Sequence, residues 1–372
     1  MIFAIFTHVN HIQSSKQYFA YMPYIREMNI WLKYSDKILI VAPLQNKKPT
    51  TIDSSYNHKN IDFRKVPDFS VTNFKNGFIS LFKIPIILHK MAQAMYQADH
   101  IHLRCPGNMG LLACVVQIFF PYKVKTAKYA GNWDPKAKQP WTYRLQKWIL
   151  SNTFLTRNMQ VLVYGEWENQ SKNIVPFFTA TYSESDKEAF QEKLLNQTIH
   201  FIFVGTLAKG KNPLYAIQLV EELFKKGYSV HLDLYGEGIE RENLERYIIN
   251  SNLRKVVELK GNHSQDIVKE AYKNSHFVIL PSKSEGWPKA IAEGMFWGCV
   301  PIATEVSCVP FMLDFGNRGL LLKMDLKQDV SELECLLNNQ LDFAAKSQKA
   351  FTWSGKYTID VFENEIKKLL SK

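Results

Sequence analysis

The chain has 372 residues, of which 46% are hydrophobic and 22% charged, and its formal net charge is +11. This length exceeds one ordinary hydrophobic core and fits two domains of roughly 150 to 200 residues each. The composition excludes a disordered, collagen-like or low-complexity chain. Its five cysteines show neither CxxC nor Cys/His metal spacing, which predicts reduced thiols in the cytosol rather than disulfides or a zinc site.

The first ten residues, MIFAIFTHVN, are apolar at the start but lack the basic segment and small-residue cleavage site of a signal peptide. We therefore expect a buried strand here. The longest other apolar stretch, residues 109–120, is shorter than the roughly 20 residues that cross a bilayer. The sequence predicts a cytoplasmic protein, either soluble or peripheral at the inner face of the cell membrane.

Basic residues are concentrated in the first half of the chain. Residues 1–180 contain 22 Lys/Arg and 9 Asp/Glu, a balance of +13, whereas residues 181–372 contain 24 and 26, a balance of −2. No recognition-helix, zinc or RNP signature accompanies the basic half, so we expect no nucleic-acid partner. The open alternatives are an anionic membrane surface, with Lys75, Lys83 and Lys90 as candidate contacts, and an acidic acceptor.

In the N-terminal half, apolar runs alternate with amphipathic stretches of helical period. Residues 175–196 contain a proline followed by polar and charged residues, which predicts the connection between the domains. Strands are predicted at residues 1–6, 37–43, 100–104, 124–130 and 160–164. Helices are predicted at residues 17–34, 78–97, 107–119 and 139–151.

The C-terminal half shows the same alternation more clearly, which predicts parallel βαβ units. Both halves are therefore expected to be Rossmann-like α/β domains. Strands are predicted at residues 199–205, 229–236, 256–261, 276–281 and 300–306. Helices are predicted to begin at Asn212 and to cover residues 239–248, 264–275, 288–298 and 355–372.

The stretch SEGWPKAIAEGMFWGCVPIAT, residues 284–304, carries the strongest chemical signal. A strand ends before it, Glu285 lies in the loop, and a helix is predicted to begin near Pro288, a residue suited to the first helical position. The following N–H groups, at Lys289 and Ala290, would offer a pyrophosphate site at a positive helix end. Glu293 could accept both hydroxyls of a ribose, while Glu285 faces the other end of the same ligand.

This stretch resembles the E-x(7)-E motif of the retaining glycosyltransferases of family 4, with Glu285 and Glu293 as the two glutamates. The resemblance implies the α/β GT-B fold, with two Rossmann-like domains whose parallel sheets face each other across a cleft. It implies an acceptor domain at residues 1–180, completed by a last helix at 355–372, and a donor domain at residues 181–354. Glu293 would then bind the donor's ribose, and Glu285 the donor sugar.

Other parts of the C-terminal half carry the same resemblance. In FVGTLAKGKNP, residues 203–213, Lys211 matches the family's phosphate-binding lysine, while Thr206 stands where the family has arginine. The glycine turn YGEG begins at Tyr235. Trp287 is either a sugar-facing or a packing residue. Besides Glu293 and the helix-start residues Pro288, Lys289 and Ala290, the predicted donor site includes Gly205, Thr206, Lys211, Gly236, Asn262, His263 and Trp287.

The N-terminal half departs from the family pattern. The usual glycine-rich loop after the first strand is replaced by residues 7–11, THVNH, and KYAGNWD at residues 128–134 stands where a catalytic histidine often follows a central strand. His102 is our candidate for a catalytic group from this half, alongside Glu285 and Lys211, with Arg104 as a further candidate site residue.

No Asp-x-Asp pair occurs in the sequence, so we expect no metal and no cofactor beyond a nucleoside diphosphate sugar as co-substrate. The expected reaction is sugar transfer, with retention, to a saccharide or lipid-linked saccharide in surface polysaccharide or glycan biosynthesis. Two alternatives stay open. One is a sugar-nucleotide 2-epimerase on the same fold, and the other is a non-catalytic module that binds anionic surfaces.

Overall fold

The structure is a computed structural model that describes residues 1–50, 52–67 and 74–371, without the side chains of residues 74–82. The chain divides into two compact units, one formed by Met1–Phe178 with Phe362–Lys372 and the other by Thr179–Val361. Each unit is built on a largely parallel sheet with helices, so the predicted class of two Rossmann-like α/β halves is confirmed. Among the described residues, no helix combines the length and apolar character that crossing a bilayer requires.

The first unit contains a sheet in the order β10-β9-β8-β7-β1-β4-β2-β3-β5, with β6 paired to β4. Its strands are β1 Ile2–Phe6, β2 His11–Ser14, β3 Gln17–Tyr21, β4 Lys37–Gln45, β5 Asp53–Ser55, β6 Ile61–Val66, β7 His100–Cys105, β8 Val124–Tyr129, β9 Met159–Tyr164 and β10 Ile174–Phe177. Its helices are α1 Met22–Leu32, α2 Phe74–Gln97, α3 Asn108–Val116 and α4 Trp141–Ser151.

The helix predicted at residues 17–34 is wrong over its first five residues. Gln17–Tyr21 forms β3, which pairs antiparallel with β2 so that Phe19 lies opposite Ile12. Helix α1 begins only afterwards and carries a proline in its first turn. Strands β2, β3, β5, β6 and β10 were not predicted, because most of their residues are only partly buried or exposed and do not form a continuous apolar run.

The second unit has a six-stranded sheet in the order β13-β12-β11-β14-β15-β16, in which all neighbours are parallel. Its strands are β11 Ile199–Val204, β12 Val230–Tyr235, β13 Val257–Gly261, β14 Phe277–Leu280, β15 Val300–Thr304 and β16 Leu320–Leu322. Its helices are α5 Pro213–Lys225, α6 Arg241–Asn250, α7 Gln265–Asn274, α8 Lys289–Phe296, α9 Val309–Met312, α10 Leu326–Leu337 and α11 Gln340–Ser354, and the last helix of the chain is α12 Ile359–Leu370.

Burial explains why the strands of the second unit read as continuous apolar runs. Every residue of β14 and β15 is buried, as expected for parallel strands covered by helices on both faces. Helix α8 packs closely on this sheet, because a Cβ on Gly294 would lie 2.6 Å from Cγ1 of Val278. This close packing fixes the position of the loop that precedes α8.

Candidate active site

The strand order of the second unit defines a topological switch point between β11 and β14. Open α/β sheets bind ligands outside the carboxyl ends of their strands at such a point. The loop after β11, residues 205–212, and the loop after β14, residues 281–288, both lie there. A hydrogen bond of 2.8 Å from the N–H of Lys283 to the carbonyl of Gly210 joins the two loops.

Lys211 and Glu285, which are 74 residues apart in sequence, meet at this point. The Nζ of Lys211 donates to Oε1 of Glu285 at 2.6 Å. The lysine side chain is 33% exposed and the glutamate side chain only 7% exposed, so the ammonium is accessible while the carboxylate lies mostly behind it. Two of the three predicted catalytic residues are therefore brought together, with the positive group accessible to an anionic ligand.

The N-terminus of α8 adds backbone donors beside this pair. Pro288 precedes the helix, which begins at Lys289, one residue later than the sequence suggested. The N–H groups of Ile291 and Ala292 donate to the carbonyl of Pro288 at 3.0 and 3.2 Å. The first N–H groups of a helix point out of its N-terminal end and carry partial positive charge, and this end directly follows the loop of Glu285.

Glu293 lies within α8 and is held by two hydroxyl groups. Its Oε1 accepts from Oγ1 of Thr181 at 2.7 Å, and its Oε2 accepts from the hydroxyl of Tyr272 at 3.3 Å. Burial, followed by the nearby charge of Glu293, raises the pKa of Tyr272 well above its usual value, so this phenol is a lasting hydrogen-bond donor. The carboxylate is thus oriented by the protein before any ligand arrives.

Glu293 also lines a small pocket together with Trp287 and Lys289. The remaining wall comes from residues 179–182 and from Ala292, Phe296, Ser354 and Tyr357. Lys211 and Glu285 are not among the residues that line it. The two predicted glutamates therefore have different surroundings within one unit, one beside a lysine and the other beside hydroxyl groups.

Trp287 is largely a packing residue. It is 7% exposed, and its ring lies 6.1 Å from that of Trp353 and 5.5 Å from that of Tyr357, measured between centroids. These contacts support the packing alternative for Trp287. The residue also forms part of the pocket wall. The cluster anchors the Glu285 loop to the end of α11.

Gly205 and Gly236, both predicted donor-site residues, lie where the backbones after β11 and β12 approach each other closely. A Cβ on Gly236, whose φ is +137°, would lie 2.0 Å from the carbonyl oxygen of Gly205. The N–H of Gly236 donates to the carbonyl of Gly261 at 2.8 Å. The ends of β11, β12 and β13 are therefore tied together, and a side chain at Gly236 would separate them.

Three other predicted donor-site residues have accessible side chains. Thr206, Asn262 and His263 are exposed, and the His263 ring donates to the carbonyl of Lys260 at 3.1 Å. The His263 ring also lies edge-on to Tyr235, with centroids 5.6 Å apart. These residues follow β11 and β13, on the carboxyl side of the sheet, and their role in binding a base stays a prediction.

One group of side chains near the sheet could ligate a metal ion. The ligand atoms of His231, Asp233 and Glu258 lie within 4.8 Å of one another. The Nζ of Lys260 is 3.4 Å from Asp233 and 2.5 Å from Glu258, and this ammonium already supplies positive charge to both carboxylates. A cation would compete with that lysine.

His102 does not occupy a position from which it could contact a substrate. It lies in β7 and is fully buried, its Nδ1 is 2.8 Å from Oγ1 of Thr126, and it packs between Phe3 and Trp31. Burial lowers its pKa well below the usual value, so the ring is neutral. We correct the catalytic prediction accordingly, because an enclosed ring in the core has a structural role.

Arg104, which lies two residues after His102 in β7, is part of a buried charge cluster in the first unit. Its Nη1 is 2.7 Å from Oε1 of Glu27, and the Nζ of Lys128 is 3.1 Å from the same oxygen. Lys128 also donates to the carbonyl of Phe178 at 3.2 Å. Arg104 and Lys128 thus share one carboxylate oxygen near the carboxyl ends of β7 and β8.

Sequence reasoning missed Thr181 and Tyr272, whose hydroxyl groups donate to Glu293. Thr181 falls in the segment interpreted as the connection between domains, and Tyr272 appears only as an aromatic residue of helix α7. No local pattern links either residue to Glu293, since the separations are 112 and 21 residues. Only the packing of the second unit brings them together.

Comparison with known proteins first establishes the class of fold. The crystal structure of Anabaena HepE in complex with UDP and glucose aligns over 100% of this chain and 99% of that one, with a TM-score of 0.68 and 12% sequence identity. At this identity the likeness concerns the fold alone. The chain has a GT-B-type fold, as the sequence resemblance implied.

Sequence comparison adds a partial match to a family. Residues 184–351, which make up less than half of the chain, match the family described as glycosyl transferases group 1. An uncharacterized glycosyltransferase of Methanocaldococcus jannaschii is 27% identical over 41% of this chain and 44% of its own length. Protein CapJ of Staphylococcus aureus is 23% identical over 84% of this chain and 80% of its own length. The match thus spans less than half of the Methanocaldococcus relative.

Proposed function

We propose that this protein transfers a sugar from a nucleoside diphosphate sugar to a hydroxyl group of a saccharide, free or lipid-linked, with retention at the anomeric carbon. The observation that carries the proposal is the 2.6 Å contact between Lys211 and Glu285 at the switch point of the second unit. The match of residues 184–351 to the glycosyl transferases group 1 family and the UDP and glucose bound by the structural relative HepE support it.

In this proposal, the bond between the anomeric carbon and the diphosphate oxygen breaks, and a bond from the acceptor oxygen to that carbon forms. The acceptor proton passes to the leaving phosphate. Lys211 has three N–H donors, so it can hold Glu285 and a phosphate oxygen at once. Together with the N-terminal N–H groups of α8, it stabilises the charge that grows on the leaving diphosphate.

Glu293 is assigned to the ribose of the donor, and Glu285 to its sugar. Both oxygens of Glu293 already accept hydroxyl hydrogen bonds, so ribose hydroxyls would replace or share donors of the same kind. This exchange conserves hydrogen bonds, which keeps the cost of binding low. The pathway we propose is the biosynthesis of a surface polysaccharide or glycan in the cytoplasm, with the protein peripheral to an anionic membrane.

A thermal-shift panel of nucleoside diphosphates and the matching monophosphates tests the donor site. Ligands that bind only the folded state raise the melting temperature by mass action, and we expect a diphosphate to raise it more than its monophosphate. Glu293→Gln should reduce the shift, and Glu270→Gln, a change at an exposed glutamate of α7, serves as the matched control. No shift with any diphosphate would contradict the proposal and favour a non-catalytic module.

Incubation with the donor that binds, without an acceptor, separates transfer from epimerisation. Release of the nucleoside diphosphate that depends on added saccharide supports transfer. An epimerised nucleotide sugar formed without saccharide would show that the same site performs 2-epimerisation.

A further inference from the structure

Helix α4 of the first unit exposes an apolar face to solvent. Trp141, Leu145 and Trp148 are 65%, 36% and 60% exposed. They stand at positions i, i+4 and i+7, which share one side of an α-helix. The opposite side of the helix packs into the core, since Gln146 and Leu150 are buried there.

Neighbouring turns extend this face with further aromatic rings. Phe119, Tyr122 and Phe154 are 78%, 89% and 71% exposed. Two hydrogen bonds connect their turns, since Nε2 of Gln117 donates to the carbonyl of Leu155 at 3.1 Å and Nδ2 of Asn158 donates to the carbonyl of Pro121 at 3.0 Å. We call this set the aromatic surface, and its members are Phe119, Tyr122, Trp141, Leu145, Trp148 and Phe154.

A soluble protein rarely exposes a contiguous apolar region of this kind without an interaction partner. Tryptophan and tyrosine favour the interface between a bilayer and water, because their rings are apolar and their N–H or O–H groups are polar. Five of the six residues on the aromatic surface carry aromatic rings, which would be costly to leave in water if no partner covered them.

The charges around the aromatic surface are of one sign. Between Asp134 and Glu166 the sequence has no acidic residue. Lys147 faces inward, where its Nζ donates to the carbonyl of Asp134 at 3.1 Å. The other four basic residues of this stretch are exposed, and among the described residues no carboxylate pairs with them; they are Lys136, Lys138, Arg144 and Arg157.

We propose that the aromatic surface docks on an anionic phospholipid bilayer, with its rings at the level of the lipid headgroups and the four exposed cations on lipid phosphates. Arg144 lies on the same exposed side of α4 as the two tryptophans, and the guanidinium of Arg157 lies 4.8 Å from the centre of the Phe154 ring. Apolar and cationic groups therefore alternate along one surface, as in helices that bind within the membrane interface. This proposal rests on the peripheral location proposed above and names the surface that would make the contact. Its test is independent of sugar transfer, because vesicle binding requires neither donor nor acceptor.

Helix α2, whose lysines are the contacts predicted from sequence, is a weaker candidate. The Nζ of Lys90 donates to the carbonyl of Lys65 at 2.6 Å, and Ile87 and Met91 of the same helix are fully buried. The side chain of Lys75 lies outside the described residues. The membrane contacts of Lys75, Lys83 and Lys90 stay a prediction, and the experiment below separates the two surfaces.

The test is co-sedimentation of the full chain with vesicles of phosphatidylcholine alone and with vesicles that also contain phosphatidylglycerol. We expect binding to the anionic vesicles at about 0.1 M salt and a marked loss at about 1 M, where the screening length falls from about 10 Å to about 3 Å. Trp141→Ser with Trp148→Ser should weaken binding at least tenfold, and Lys136→Gln, Lys138→Gln and Arg144→Gln together should weaken it still further. Matched controls are Leu341→Ser, at an 84% exposed leucine of α11, and Lys349→Gln, at an exposed lysine of the same helix.

Each outcome decides the proposal. Loss of vesicle binding in the aromatic and basic variants, with unchanged melting temperature and unchanged controls, supports it. Equal vesicle binding by wild type and both variants would overturn it, and a loss confined to Lys83→Gln with Lys90→Gln would transfer the contact to α2. If the wild type binds no vesicles but sediments as a dimer, and the tryptophan variant sediments as a monomer, the aromatic surface contacts a second copy of the chain. That result would overturn the lipid proposal. If a variant that no longer binds vesicles keeps the diphosphate thermal shift, donor binding does not depend on the membrane contact.

Discussion

The ammonium of Lys211 lies 2.6 Å from a carboxylate oxygen of Glu285, although the two residues come from loops that follow different strands. Lys209, two residues earlier in the same loop, is exposed and forms no comparable contact among the described residues. The lysine that the structure positions is therefore Lys211. A phosphate-binding role would depend on that positioning.

We predict that Lys211→Ala lowers turnover about a hundredfold, a typical loss when one preorganised donor to a developing negative charge is removed. Lys209→Ala should change turnover less than threefold under the same conditions. The measurement is kcat for nucleoside diphosphate release in the presence of acceptor. Equal losses in the two variants would show that neither the position nor the partner of Lys211 matters.

The loss of Lys211 also has a structural consequence, because it leaves the mostly buried Glu285 without its ion-pair partner. We expect Lys211→Ala to reduce the free energy of unfolding by about 1 to 3 kcal/mol, the usual cost of an unsatisfied buried group. Lys211→Ala combined with Glu285→Gln should recover part of this stability but no turnover. Stability and catalysis can thus be separated by comparing melting temperature with kcat.

For Glu293 we predict a loss of donor affinity. Glu293→Ala removes two charge-assisted hydrogen bonds to the ribose, a change of about 2 to 3 kcal/mol or roughly 30- to 150-fold in Kd. Thr181→Val, which removes one donor to the carboxylate, should weaken binding by less than tenfold because the charge remains. Isothermal titration with the nucleoside diphosphate measures both, and an affinity for the Glu293→Ala variant within about twofold of wild type would refute the ribose assignment.

The elements of the second unit from β11 to β15 could be predicted from the sequence to within a few residues, because their buried parallel strands are short apolar runs separated by glycine or proline. The later elements β16, α9, α10 and α11 were not predicted. β14 and the start of α8 are good examples, with the strand observed at Phe277–Leu280 and the helix at Lys289–Phe296. The first unit was less predictable. Its β2–β3 hairpin has mixed burial, so residues 17–21 read as the start of a helix.

The candidate site was predictable where a residue has a local signature and not where it depends on packing. Glu285, Pro288 and Glu293 share one loop and helix, and their pattern together with the preceding strand and the loop of Lys211 indicates a site, which stays a prediction. His102 failed for the opposite reason: a histidine in an apolar strand has the same sequence pattern whether it faces the core or a substrate. Its full burial follows from the sheet order, which the sequence did not reveal.

The glycine contact between the ends of β11 and β12 leads to a prediction on stability. In Gly236→Ala, the new Cβ would lie 2.0 Å from the carbonyl oxygen of Gly205 at a φ of +137°. Both the clash and the positive φ oppose an L side chain, so we expect a loss of at least about 2 kcal/mol in the free energy of unfolding. Gly210→Ala is the matched control in the neighbouring loop, because nothing lies within 4 Å of its added Cβ. Similar melting temperatures for the two variants would mean that the close approach at Gly236 is not maintained in solution.

The last prediction concerns acid sensitivity and rests on His276, which precedes β14. Its Nδ1 accepts a hydrogen bond of 3.0 Å from the N–H of His200, and its Nε2 donates to the carbonyl of Leu194 at 3.2 Å. This arrangement requires a neutral ring. Burial is the main reason that the pKa of His276 is lowered to about 4, whereas an unfolded chain has a histidine pKa near 6.5.

The sign of the pH effect follows from these two pKa values. Between about pH 6.5 and pH 4 the unfolded state binds a proton that the folded state does not, so stability falls as the pH is lowered through this range. We expect His276 to contribute a loss on the order of 1 kcal/mol between pH 7 and pH 5, after allowance for its partial exposure. In His276→Asn, whose amide oxygen can accept from the N–H of His200 without titrating, the difference in melting temperature between pH 7 and pH 5 should be smaller than in wild type. His263→Asn, at an exposed ring of the same unit, is the control and should leave that difference unchanged. If the wild type and His276→Asn lose the same stability on acidification, the ring at position 276 is already protonated or released in solution, and the hydrogen bond to His200 does not set the acid limit of the second unit.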